Sequence, residues 1–272
     1  MPTSTRRLLS IVFAATLLVP LSATAASASD APEIVTQEVL TRSASDLVLL
    51  TNRQRAGLGL LALRPDAELM AIARDRAEVM AANDVMSHTE PSGQKVFSRL
   101  TAAGLTWFAA GEIIAWNNYP TEPLSVAESI REWMASPSHH DIMVSTGYNY
   151  VGYGAAVSAT GKRYYAGVFA KEPDKTAPWA HFRAVARHST AGRIRVTVRW
   201  TGGDRRLQVL TSGLRYYQAS WRTVGGPWHA WGTSTKAKRS ATWRRGADKE
   251  VRIRARDRAG NWSPWQIIRV NL

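Results

Sequence analysis

His88, Glu112 and His139 are the residues of this chain whose types could do chemistry together. Two imidazoles and a carboxylate can ligate a divalent cation or share protons at an exposed cleft. The first histidine lies in Ser87-His88-Thr89, the glutamate follows Gly111, and the second histidine closes Trp133-Met134-Ala135-Ser136-Pro137-Ser138-His139. Ser136 and Glu132 are the polar neighbours of such a cleft. His140 is set aside, because adjacent helical residues point about 100° apart and only one of the pair can face the same space. A hydrolase built on these residues lacks a His-Glu-x-x-His helix that would carry both ligands and a base. A serine mechanism would need Ser87 or Ser136 beside a histidine and an acid, and no residue stands out as its nucleophile.

Three helices and a small sheet must position the trio. Ser43 or Ser45 can cap a helix running through Arg55, with Leu47 and Leu50 buried and Gly57 and Gly59 ending it. Pro65 and Asp66 open a second helix, in which Leu69, Ile72, Ala73, Arg76, Ala77 and Met80 follow helical spacing. His88 falls in the loop beyond it, and a short helix spans Val96 to Ala103. Glu112 enters a strand or turn with Ile113-Ile114-Ala115. Ser125 caps a third main helix that buries Val126, Ile130 and Trp133. Tyr148 to Val157 and Tyr164 to Ala170 read as a hairpin joined at 158–162. Helices followed by a small sheet make an α+β domain.

These residues carry a resemblance. Asn52-Arg53-Gln54-Arg55-Ala56-Gly57 with Leu61 and Leu69, then Ser-His-Thr at 87–89, Gly-Glu at 111–112, Trp-x-x-Ser-Pro-x-His at 133–139 and Val-Gly-x-Gly at 151–154 occur in one order. That order resembles bacterial members of the CAP superfamily, also called the SCP-like extracellular domain. The resemblance implies an α-β-α sandwich whose cleft gathers His88, Glu112 and His139, and which in some members holds zinc, calcium or magnesium. Ser136 stands where the family has a second glutamate.

Composition divides the chain. Residues 1–28 read as a secretory signal peptide: Arg6 and Arg7 precede an apolar run, with small-residue cleavage sites after Ala25 or Ala28. A polar lead covers 29–42, the CAP-like domain 43–172, a proline-flanked linker 173–178, and a second domain 179–272. Residues 29–173 carry 12 Lys/Arg against 16 Asp/Glu, and residues 174–272 carry 21 against 5. Cysteine is absent, so disulfides and thiolate ligands are excluded.

In the second domain Arg193-Ile194-Arg195-Val196-Thr197-Val198-Arg199-Trp200 and Val251-Arg252-Ile253-Arg254-Ala255-Arg256 alternate with period two, the pattern of half-buried strands. Further strands are expected at Leu214 to Thr223, Trp228 to Thr233, Ala241 to Arg245 and Trp265 to Val270, which together make a β-sandwich. The run Arg254 to Trp265 resembles the last strands of a fibronectin type III-like domain. Its Trp262-Ser263-Pro264-Trp265 is similar to cytokine-receptor modules in which guanidinium planes stack on indoles. Arg193, Arg195, Arg252, Arg254, Arg256, Trp262 and Trp265 are the candidates for polyanion or glycan contact. A field this basic attracts polyanions. Export and the lack of a nucleic-acid motif favour an anionic cell-wall polymer, a glycan or an acidic lipid surface over nucleic acid. The sequence thus reads as a secreted, cell-wall-associated binding protein that is docked by its basic sandwich. A metal-assisted hydrolase of envelope peptide or glycan, and an adhesion protein with a vestigial cleft, are the alternatives.

Overall fold

The computed structural model describes residues 35–272. The signal peptide and the first six residues of the polar lead, 29–34, lie outside them. Within the first half, helices α1 (Gln37–Gly57) and α4 (Glu122–Ala135) pack on one face of a four-stranded sheet. Helices α2 (Ala67–Asn83) and α3 (Val96–Ala102) cover the other face. The sheet comprises β1 (Arg64–Pro65), β2 (Ala109–Asn117), β3 (Tyr150–Val157) and β4 (Arg163–Lys171), in the order β1-β3-β4-β2. Alternation along β3 explains the layering. Val151, Tyr153 and Ala155 join the α1–α4 core, whereas Tyr150 and Ala156 face α2. Gly152 and Gly154 also lie against α2, whose backbone sits where their Cβ atoms would be.

Two helix starts differ from expectation. Helix α1 begins at Gln37, capped by Thr36, whose hydroxyl accepts from the Val39 amide. Ser43 lies inside it, buried and donating to Glu122 at 2.8 Å. Helix α4 begins at Glu122 rather than at Ser125, whose hydroxyl is one turn inside and bonded to Asn117. In both cases the serine serves a buried tertiary contact, which local capping rules do not register.

The second half forms two antiparallel sheets. One has the order β5-β6-β9, from β5 (Trp179–Thr190), β6 (Arg193–Gly203) and β9 (Lys238–Arg244). The other has the order β11-β10-β7-β8, from β7 (Leu214–Thr223), β8 (His229–Ser234), β10 (Lys249–Asp257) and β11 (Gln266–Val270). Ile194, Val196, Val198 and Trp200 of β6 meet Tyr217, Ala219, Val251, Ile253 and Ala255 in one apolar core. Strand β5 was not expected as an element. It is an edge strand, mostly exposed, and a bulge at Arg183 breaks its alternation.

On the four-stranded sheet, cations and indoles interleave. Arg222 lies over Trp228 at 4.6 Å, Arg252 over Trp228 and Trp265 at 4.3 Å each, Arg254 over Trp265 at 4.5 Å and Trp262 at 3.8 Å, and Arg256 over Trp262 at 5.1 Å. Each contact stabilises by about 0.5–2 kcal/mol. Three of the arginines expected to face a polyanion therefore have their planar faces covered by tryptophan.

The segment between the two halves is held rather than free. Lys175 pairs with Glu172, reaches Asp66 at 2.6 Å and lies over Tyr150. Asp174 accepts from the Ser212 amide at 2.9 Å, and its carbonyl accepts from Asn261. Leu207 enters the core beside Leu69, and the Gln208 side chain accepts from the Leu61 amide at 2.9 Å. The described residues, 35–272, belong to one compact unit. No helix among the described residues is long and apolar enough to cross a membrane.

Candidate functional site

The candidate cleft is organised by a residue that the sequence reading left unassigned. Arg76 sits on the buried face of α2 and is fully buried. Its Nε donates to Glu112 Oε1 at 2.7 Å, its Nη1 to Glu90 Oε1 at 3.1 Å, and its Nη2 to the Ser87 carbonyl at 2.7 Å. One guanidinium thereby ties strand β2 to the loop that carries His88. Arg99 of α3 completes the network, with Nε and Nη2 on the two oxygens of Glu90 at 2.5 and 3.0 Å. That contact holds the Glu90 carboxyl below its ordinary range. The available signal was an arginine in an otherwise apolar helical stripe, because a charge placed there must find buried partners.

Glu112 projects from β2 and is buried, and Oε2 lies 2.7 Å from His88 Nδ1. The His88 side chain is 54% exposed, so its Nε2 stays open to a ligand. Gly111 matters here because a Cβ would come within 2.9 Å of the Tyr148 hydroxyl, so the glycine lets that ring close the hollow. His88, Glu112, Lys95, Phe97, Ile142 and Tyr148 line a hollow of about 300 Å³.

His139 lies on α5 (Pro137–Met143), in a second hollow of about 220 Å³ with Ser136, Glu132, Met86 and Trp116. Its Nδ1 is 2.9 Å from Ser136 Oγ. Burial lowers its pKa, and the nearby His88 lowers it further, so the ring favours the neutral, electron-donating form. Glu132 points outward enough to accept from the Tyr119 hydroxyl at 3.2 Å. His140 is half-buried and 3.5 Å from Asp141.

The structure thus brings His88 and Glu112 into direct contact, while His139 lines a separate hollow, close enough to feel the charge of His88, and has Ser136 as its own partner. Each imidazole has Nδ1 engaged and Nε2 without a partner among the described residues. Among the described residues, the ligand atoms of His88, Glu112 and His139 do not gather within 4.8 Å of one another as a three-ligand metal site would have them; Glu112 instead stands behind His88 as a carboxylate that orients the ring. Both oxygens of Glu112 accept from Arg76, and Oε2 also contacts His88, so the carboxylate is tied to buried and cleft partners at once. Ser136 and His139 make the contact a serine mechanism requires, yet no carboxylate among the described residues bonds the His139 ring.

Metal-ligating atoms do converge elsewhere. Asp174, Asp204 and Asp257 place carboxylate oxygens within 4.8 Å of one another near the joint between the halves. Each accepts backbone amides, from Thr176 and Ser212, from Arg205 and Gly213, and from Gly260 and Asn261. Burial, followed by the charge of Asp174, raises the Asp204 pKa.

Comparison with known proteins assigns the first half. The model of the CAP family, described as the Cysteine-rich secretory protein family, matches residues 48–169. The Uncharacterized protein YkwD of Bacillus subtilis (strain 168) is 27% identical over 114 residues, covering 42% of this chain. The match spans 42% of that relative's own length. Among solved structures, an outer surface protein from Borrelia burgdorferi is 21% identical, with a TM-score of 0.44, covering 51% of this chain and 96% of its own. An extracellular protein containing a SCP domain from Bacillus anthracis str. Ames is 20% identical, with a TM-score of 0.44, covering 52% of this chain and 45% of its own. Residues 48–169 therefore carry a CAP/SCP domain of bacterial type, built in this chain without a single cysteine.

Proposed function

We propose that this is an exported envelope protein in which the CAP cleft binds a ligand or a divalent cation and the basic sandwich docks the molecule on an anionic wall. The observation that favours binding over hydrolysis is the environment of Glu112. Among the described residues, the one carboxylate that touches a cleft histidine is Glu112, bonded to Arg76 and His88, and none bonds His139 to complete a catalytic set with Ser136. A cation taken by Nε2 of His88 and His139 would keep open positions for an anionic or carbonyl ligand. A fibronectin type III-like assignment of the sandwich is supported by its strand order, with three strands β5-β6-β9 facing four strands β11-β10-β7-β8.

Docking by charge makes a direct prediction. Full-length protein mixed with isolated bacterial walls sediments with them at low salt and is released as salt rises above about 0.3 M, because screening shortens the Debye length well below 10 Å. Sedimentation indifferent to salt would sink the docking reading. For the cleft, equilibrium dialysis against zinc should show binding by the wild type that falls at least about tenfold in His88→Ala and in His139→Ala. Equal zinc uptake by all three proteins would remove the cation from the proposal and leave the ligand reading to be tested separately.

A further inference from the structure

We propose that the docking surface is the open face of the β5-β6-β9 sheet, and that it takes a single polyol-phosphate chain lying along the strands. This rests on the docking reading above and assigns it to one face and one kind of polymer. Because Ile194, Val196, Val198 and Trp200 point into the core, Arg193, Arg195, Thr197 and Arg199 must point out, and the three arginines are exposed. The register with β9 sets Arg244 beside Arg193, Thr242 beside Arg195, Ser240 beside Thr197 and Lys238 beside Arg199. On the other side β5 contributes His188 opposite Arg195 and only Ala186 and Ala184 opposite Thr197 and Arg199.

Among the described residues, no carboxylate pairs with this charge. The five acidic residues of 174–272 all lie elsewhere: Glu250 pairs with Arg222, Asp248 with Arg269, and Asp174, Asp204 and Asp257 gather near the joint. Among the described residues, Arg193, Arg195, Arg199, Lys238 and Arg244 have no ion-pair partner. The opposite sheet differs, since Arg252, Arg254 and Arg256 are stacked on tryptophans.

The spacing selects a linear occupant. Outward side chains on β6 recur about every 7 Å, and Arg193 to Arg199 spans about 20 Å, with the second row on β9 about 5 Å to the side. That is a narrow cationic track, two strands wide, with the hydroxyls of Thr197 and Ser240 at its centre, 2.7 Å apart. Four of its five cations are arginines, whose forked donors match phosphate oxygens. Trp179 and His181, in tilted ring contact at 5.5 Å, lie on the same face beyond Arg199, where rings can cover the carbon segments of a polyol. The face carries no large aliphatic side chain, and the exposed Leu210, Val224 and Ile267 lie off these strands, so nothing on it would enter a lipid layer.

The test uses full-length protein and a poly(glycerol phosphate) chain, with duplex DNA, polyglutamate and phosphatidylglycerol vesicles as comparators. Arg195→Thr with Arg199→Thr should weaken binding to the polymer by at least about tenfold at about 0.15 M salt, where exposed charges still act over roughly 8 Å. The slope of log affinity against log salt should fall by about 1.4, the share of two charges on a single-stranded polyanion. Arg206→Thr with Arg215→Thr removes the same charge from exposed positions off the track and should change binding less than threefold. Thermal melts of both pairs should match the wild type, since every substituted residue is exposed. Equal losses in the two pairs would overturn this face as the site while leaving salt-dependent docking intact. Wild-type binding that ignores salt would overturn the docking reading too. Comparators bound as tightly as the polymer would overturn the occupant: duplex DNA the single chain, polyglutamate the phosphate, vesicles the polymer itself.

Discussion

Gly152→Ala is expected to destabilise the first half of this protein by more than about 3 kcal/mol, the upper end of overpacking costs. A Cβ at Gly152 would lie 2.1 Å from the Leu69 carbonyl carbon and 2.3 Å from the Met70 nitrogen. At Gly154 it would lie 2.2 Å from the Arg74 nitrogen. These are backbone atoms of α2, so no rotamer change relieves the clash, and the helix must lift from the sheet. Lifting it exposes Leu69, Ile72, Ala73, Ala77 and Met80, all buried against β3 and β4 or their neighbours. Urea denaturation followed by tryptophan fluorescence measures the effect. Gly57→Ala, with nothing within 4 Å of the new atom, is the matched control and should leave the midpoint nearly unchanged. A Gly152→Ala midpoint equal to the control's would mean that the close approach of α2 is not required.

Arg76→Leu carries the second large effect, about 3–5 kcal/mol, the cost of leaving buried charges without their partner. Glu112 loses its Nε donor, Glu90 keeps only Arg99, and the Ser87 carbonyl loses its anchor. The loop bearing His88 is then untethered, so cation or ligand affinity should fall together with stability. Arg76→Lys should recover little, because one ammonium cannot reach two carboxylates and a carbonyl at once. Combining Arg76→Leu with Glu112→Leu should restore part of the lost stability, since it removes an orphaned charge. Denaturation midpoints of the three variants decide the matter: a double variant no better than Arg76→Leu would show that the pair's charges are not what the fold must satisfy.

Much of the molecule was legible residue by residue. The period of α2, the hairpin of β3 and β4, and the alternation of β6 and β10 are local signals written in side-chain order. So was the uneven charge, because it needs only counting. The Trp262 to Trp265 run also pointed to guanidinium stacking, which the ladder contains.

What local order could not decide is where a side chain finds a partner far along the chain. Ser43 and Ser125 have the right type for helix caps, but their hydroxyls serve Glu122 and Asn117 across the core, so the helices start a turn or more earlier. Arg76 looked like one position on an apolar stripe, yet it sets the geometry of the cleft because Glu90 and Glu112 are brought to it from two other elements. The five arginines among the candidates for polyanion contact were alike in sequence. The fold separates them, stacking Arg252, Arg254 and Arg256 on indoles while Arg193 and Arg195 stay open on the opposite sheet. Sequence by itself determined which residues could be charged, buried or turned. Tertiary structure alone decided which charges are neutralised, because a carboxylate's distance in space is set by strand pairing and helix packing rather than by separation along the chain.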